Sequence, residues 1–100
     1  MFIDKDTERV RSEKDYSVGY NSKIKKYLLA VIIPWIAWYE RYFEISEYEY
    51  EMFGSDELDS IAERAHEEGT TSVRFLFSEK NEENTEKQLE MRHRAKANLS

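Results

Sequence analysis

Apolar and polar positions divide this chain into stretches with different periods. In residues 22–43, SKIKKYLLAVIIPWIAWYERYF, the apolar positions Ile24, Leu28, Val31, Trp35, Trp38 and Tyr42, continued by Ile45 just beyond, recur in steps of four and three. That is helical spacing, and a second apolar row, Leu29, Ile32, Ile36, Tyr39 and Phe43, flanks it. Ser22 suits the N-cap of such a helix. Pro34 has no N–H and would kink or split it. The competing reading is a buried strand over 25–33, because Val31, Ile32 and Ile33 are β-branched.

The period changes after residue 43. In EISEYEYEMF, residues 44–53, Glu47, Glu49 and Glu51 alternate with Tyr48, Tyr50 and Met52. Period two predicts a strand that Gly54 ends. SDELDSIAERAHEEG, 55–69, predicts a helix capped by Ser55, with acids in its first turn and Gly69 just past its end. Its apolar stripe is Leu58, Ile61, Ala62 and Ala65. TTSVRFLFS, 70–78, predicts a strand with Val73, Phe75 and Phe77 on one face. Two strands joined by a helix of this length suggest a βαβ-like unit.

The ends carry weaker patterns. Residues 1–21 predict a weakly ordered segment, with a loose helix over 6–15 and a loop at SVGYNS. Residues 81–98 predict a polar helix within a polar C-terminal region, 81–100. Acids lead it, bases close it, and Glu83–Lys87 and Glu90–Arg94 are i,i+4 pairs. With Leu89 as nearly its only large anchor, this helix is expected to project into solvent or dock elsewhere.

These elements predict one α+β domain over 1–100: a kinked apolar helix packed on a short sheet. The alternative is an all-α bundle in which 22–53 is one interrupted helix.

Charge sharpens the functional reading. The formal net charge is −6, yet residues 40–68 hold eleven acids against two arginines, a net of −9. Such a segment repels nucleic acid and anionic lipid and attracts basic surfaces. As a strand, 47, 49 and 51 would set carboxylates roughly 6–7 Å apart. As a helix, Glu40, Glu44, Glu47 and Glu51 would form a stripe instead. Either row is met by an ordinary solvated face with tyrosines beneath, or by a docking surface for a basic partner.

The docking reading places partner contacts at Glu40, Glu44, Glu47, Tyr48, Glu49, Tyr50, Glu51, Asp56, Glu57 and Asp59. In its narrowest form the protein is an inhibitor that occupies a basic nucleic-acid-binding site on another protein, as small acidic proteins of phages and mobile elements do. Trp35, Trp38 and Tyr42 are expected in the core or at a homodimer seam.

Other chemistries are less well supported. The thirteen uncharged residues from Tyr27 to Tyr39 would span about 20 Å as a helix, short of the roughly 30 Å hydrocarbon core. A membrane anchor over 24–43 is therefore the runner-up function. Glu63–His66 and Glu90–His93 have the spacing of di-metal ligands, but neither lies on an apolar stripe. Arg92, His93, Arg94 and Lys96 make a weak nucleic-acid footprint beside upstream acids. The chain has no cysteine and no Gly-rich phosphate loop. No enzyme activity, cofactor or metal is expected. The absence of cysteine and of an early apolar run point to a cytoplasmic protein.

Overall fold

Both faces of the central strands are apolar, and that decides the architecture. The computed structural model describes residues 2–96. In chain order they form β1 (Arg9–Arg11), β2 (Tyr16–Asn21), β3 (Lys26–Ile33), β4 (Tyr39–Ile45), α1 (Glu47–Glu51), α2 (Asp56–Glu68), β5 (Phe75–Ser78) and α3 (Glu86–Ala95). The five strands make one antiparallel sheet in sequence order, β1-β2-β3-β4-β5. The domain is α+β, and the all-α alternative is excluded.

The expected kinked apolar helix is instead a β-hairpin. β3 and β4 pair from Tyr27↔Ile45 to Ile33↔Tyr39. Leu28 and Ala30 face one layer, with Phe2, Ile24, Tyr42, Phe77 and Ala95. Leu29 and Val31 face the other, with Tyr16, Val18, Phe43, Ile45, Leu58, Ala62 and Ala65. A strand buried on both sides needs apolar residues at every position, which hides the period of two. Pro34 does not kink a helix; it follows the last residue of β3, where no ladder N–H is needed.

The expected strand over 44–53 is also corrected. Only Glu44 and Ile45 belong to a strand, and Ser46 then starts a helix. The Ser46 hydroxyl accepts a hydrogen bond from the Glu49 N–H at 3.1 Å, and the Glu49 carboxylate accepts one from the Ser46 N–H at 2.8 Å. This reciprocal capping box outweighs the alternation that suggests a strand.

α2 forms as the sequence predicts, with Ser55 at its N-cap and Gly69 at its C-cap. Leu58, Ala62 and Ala65 are buried against the sheet. No βαβ unit results, because β4 and β5 are antiparallel. After α2 the chain passes Gly69, beside Arg41, and returns to Arg74, whose carbonyl accepts from the Glu44 N–H at 2.8 Å. That return reverses the direction in which β5 enters the sheet.

β5 carries an irregularity: Tyr42 pairs with Phe77 but Phe43 with Phe75, leaving Leu76 extra. Phe75 and Phe77 therefore fall in opposite layers, and Val73 is exposed, so the three do not share a face.

The N-terminal region holds β1 and β2 rather than a helix, and SVGYN lies within β2. The C-terminal helix starts at Glu86, later than expected, under a Thr85–Gln88 capping box. It docks: Met91 and Ala95 pack in the layer of Phe2, Tyr42 and Phe77. Glu83 precedes it and pairs with Arg41 rather than Lys87. Residues 97 and 98 of the expected helix, like the rest of the polar region to 100, lie outside the described residues. Among the described residues no helix is long and apolar enough to cross a membrane.

Candidate functional site

The expected row of carboxylates is broken by the fold and largely neutralised by the chain's own bases. Glu44 on β4 meets Lys26 at 3.3 Å, Glu51 meets Arg9 at 3.6 Å, and Glu49 meets Arg74 at 2.7 Å. Asp59 on α2 takes two hydrogen bonds from Arg11, at 3.1 and 2.9 Å, and a third from the Tyr16 hydroxyl at 2.5 Å. The Arg11 guanidinium and the Tyr16 hydroxyl hold the Asp59 carboxyl down at about 2. Hydrogen bonding to Arg74 does the same for Glu49, also to about 2. Arg9, Arg11 and Arg74 are distant from these acids in sequence, and charge counting within 40–68 misses all three.

The other expected contacts are scattered. Glu40 on β4 accepts the Tyr42 hydroxyl at 2.7 Å, and burial raises its pKa. Tyr42 itself is a core residue, stacked on Phe77 with ring centroids 5.1 Å apart. Tyr50 is buried; its hydroxyl donates to the Thr7 carbonyl and Arg9 sits 4.3 Å over its ring. Tyr48 faces solvent. Glu47, Asp56 and Glu57 are exposed and have no ion-pair partner among the described residues. The same holds for Glu63, Glu67 and Glu68 of α2, so within residues 40–68 the acid left without an ion-pair partner lies mainly on that helix. Asp56, Glu63 and Glu67 are spaced by seven and four and share one stripe of it.

Trp35 and Trp38, expected in the core or a seam, occupy the turn between β3 and β4. Their relative exposures are 59% and 69%, and Ile36 between them reaches 96%. The turn is closed at its base by the Ile33↔Tyr39 pair. On one side Pro34 shares a recess of about 500 Å³ with Asp15, Asp56, Asp59, Glu63 and His66 over a floor that includes Tyr16, Val31 and Ala62. On the other, Trp38 shares a shallower recess with Glu40 and Glu79. Lys80 lies 4.3 Å over the Trp35 ring and 5.8 Å from that of Tyr39.

The arrangement sets an exposed apolar turn beside exposed carboxylates of α2. No group of three His, Cys, Asp or Glu side chains among the described residues converges to hold a metal ion. His66 and His93 are exposed on different helices. Comparison of the chain with protein-family models, curated proteins and solved structures returns no significant match to any of them.

Proposed function

We propose that this chain is a non-enzymatic protein-binding module for a basic partner, which it meets through α2 and the sheet end beside that helix. The observation that carries the reading is the residue of charge left after internal pairing. Lys26, Arg9, Arg74 and Arg11 neutralise Glu44, Glu51, Glu49 and Asp59, whereas Asp56, Glu57, Glu63, Glu67 and Glu68 face solvent without an ion-pair partner among the described residues. Unpaired charge on one helix draws a basic surface and speeds its encounter.

The docking surface is therefore centred on α2 rather than on residues 44–51. The narrower idea, a phosphate-like double row that mimics nucleic acid, draws no support from the geometry, because Glu44, Glu49 and Glu51 of that row are paired with the chain's own bases. A homodimer on this surface is disfavoured too, since it would oppose like charges. A cytoplasmic setting accords with the absence of cysteine.

The test begins with capture on the immobilised protein at low salt, followed by titration against the purified partner. Affinity should fall steeply between about 50 and 500 mM salt, as screening shortens the range of exposed charges. Asp56→Asn, Glu63→Lys and Glu67→Lys together should weaken the complex while the circular dichroism spectrum stays unchanged. A complex indifferent to both salt and the triple substitution would rule the reading out.

A further inference from the structure

The β3–β4 turn presents Pro34, Trp35, Ile36, Ala37 and Trp38, five uncharged residues in succession, and all five are exposed. Single exposed apolar residues are ordinary, but a contiguous group holding two tryptophans and an isoleucine is not. The turn contributes nothing to either core layer. A folded chain gains no stability from apolar side chains left in water. We infer that this turn is the anchor by which the module grips its partner, and that it inserts into an apolar recess rimmed by lysine and arginine on that protein. The inference rests on the proposed function and names the contact within it.

Three observations support an anchor. First, tryptophan is among the residues that most often dominate binding energy at protein interfaces. Second, the turn is already held in one shape. It rides on a hairpin whose strands pair over seven positions, Pro34 fixes its own φ, and the Lys80 ammonium sits 4.3 Å over Trp35. Little conformational freedom is then lost on binding. Third, Pro34 at the start of the turn shares a recess with Asp56 and Glu63, two of the uncompensated acids of α2.

Charge decides the occupant. The two recesses bracketing the turn are lined by six carboxylates, Asp15, Asp56, Asp59, Glu63, Glu40 and Glu79; Arg11 already pairs with Asp59, and Lys14 and the Lys80 over Trp35 are the bases nearby, which leaves acid in excess. An acidic collar around an apolar tip complements an apolar recess with a basic rim. A second copy would bring two acidic collars together, and an anionic lipid surface would meet the same repulsion.

The turn carries its own reporter, because Trp35 and Trp38 are the only tryptophans in the chain. The full chain is titrated with two synthetic peptides of equal positive charge, one alternating lysine with leucine and one of lysine alone, and emission and affinity are read together. The lysine–leucine peptide should bind about tenfold more tightly and shift the emission to the blue, as expected when a hot-spot ring leaves water. Ile36→Ser, which keeps both fluorophores, should remove most of that advantage. Equal binding of both peptides with unmoved emission would overturn the anchor and leave the basic-partner reading intact. Salt-independent binding of either peptide, or none, would overturn both. A blue shift produced by phosphatidylcholine vesicles alone, or by raising the protein concentration alone, would assign the turn to lipid or to a second copy, and the inference would fail.

Discussion

Arg74 holds Glu49 through two nearly parallel hydrogen bonds, of 2.9 and 2.7 Å, and uses a third, of 3.1 Å, to reach the Glu44 carbonyl. One guanidinium thereby ties the entry to β5, the end of β4 and the first turn of α1. Planar, two-pronged pairing is the form in which an arginine–carboxylate contact has most effect. Both side chains are partly exposed, which limits the gain. Arg74→Ala is expected to lower unfolding free energy by about 1–2 kcal/mol, and Arg74→Lys to recover only part of it. A double-mutant cycle with Glu49→Gln, read by urea unfolding, should show coupling of about 0.5–1.5 kcal/mol. Additive effects would mean the pair is ornamental.

Three carboxylates are held low by such contacts. Glu83 sits at about 2 because Arg41, and then the Tyr39 hydroxyl, bond to it; Glu49 and Asp59 lie at about 2 as well. In an unfolded chain each would titrate near its ordinary value of about 4. The unfolded state then takes up protons first as pH falls, so stability contributed by these pairs is full above about pH 5 and drains away toward pH 2. Glu40 works in the opposite sense, because burial raises its pKa and its ionised form is the costly one. The urea midpoint should drop steadily below about pH 4.5, and Asp59→Asn should flatten that slope. An unchanged slope in the variant would show that Arg11 and Tyr16 do not single out the ionised form.

The same residues explain which parts of the fold were legible in the sequence. α2 was readable because its signals are local: Ser55, the acidic first turn, the stripe of Leu58, Ala62 and Ala65, and Gly69 all lie within one stretch. The β3–β4 hairpin was not, because strands covered on both faces lose their alternation and leave a run that fits a helix equally well. For α1 the deciding signal was present: Ser46 followed three residues later by Glu49 marks a helix start more firmly than alternation marks a strand. The candidate site suffered from a different limit. The excess of acid was visible, but its partners, Arg9, Arg11 and Arg74, are brought to it only by the fold, so the uncompensated remainder on α2 could not be separated from the rest. The exposed tip is hidden when 22–43 is read as a helix, which puts Trp35 and Trp38 in a core or at a homodimer seam.

Gly19 lies in β2 where the N-terminal segment crosses it. A Cβ built there would stand 2.1 Å from the Ile3 Cγ2 methyl and 3.1 Å from the Thr7 hydroxyl oxygen. The first separation is far inside van der Waals contact. The Thr7 hydroxyl cannot simply swing aside, because it accepts the Tyr20 N–H at 2.9 Å and donates to the Asp4 carbonyl at 2.7 Å. Gly19→Ala should therefore lift the segment around Ile3 off the sheet, at about 1–3 kcal/mol. Pairing it with Ile3→Ala should return part of that loss, measured by urea unfolding of the three variants. If the double variant is less stable than Gly19→Ala alone, the steric account is wrong.

Asn21 ends β2 as a buried polar residue with every capacity used. Its amide nitrogen donates to the Phe2 carbonyl at 2.7 Å and to the Ala95 carbonyl at 2.8 Å. Its amide oxygen accepts from the Lys23 N–H at 2.9 Å and the Ile24 N–H at 3.1 Å. One side chain thus ties the N-terminal segment, the end of α3 and the β2–β3 turn together. Asn21→Ala leaves two carbonyls and two N–H groups without these partners and should cost about 2–4 kcal/mol. Asn21→Asp separates the two halves of the network. The new carboxylate still accepts from Lys23 and Ile24 but faces the Phe2 and Ala95 carbonyls with no proton to give. Protonating it restores one donor, so its folded-state pKa should lie above the unfolded value. Stability relative to the parent chain should then improve as pH falls from 7 toward about 4, opposite in sign to the Asp59 effect. Thermal unfolding of both variants across that range checks it, and a deficit for Asn21→Asp that stays flat with pH would show that the two carbonyls do not depend on the Asn21 donor.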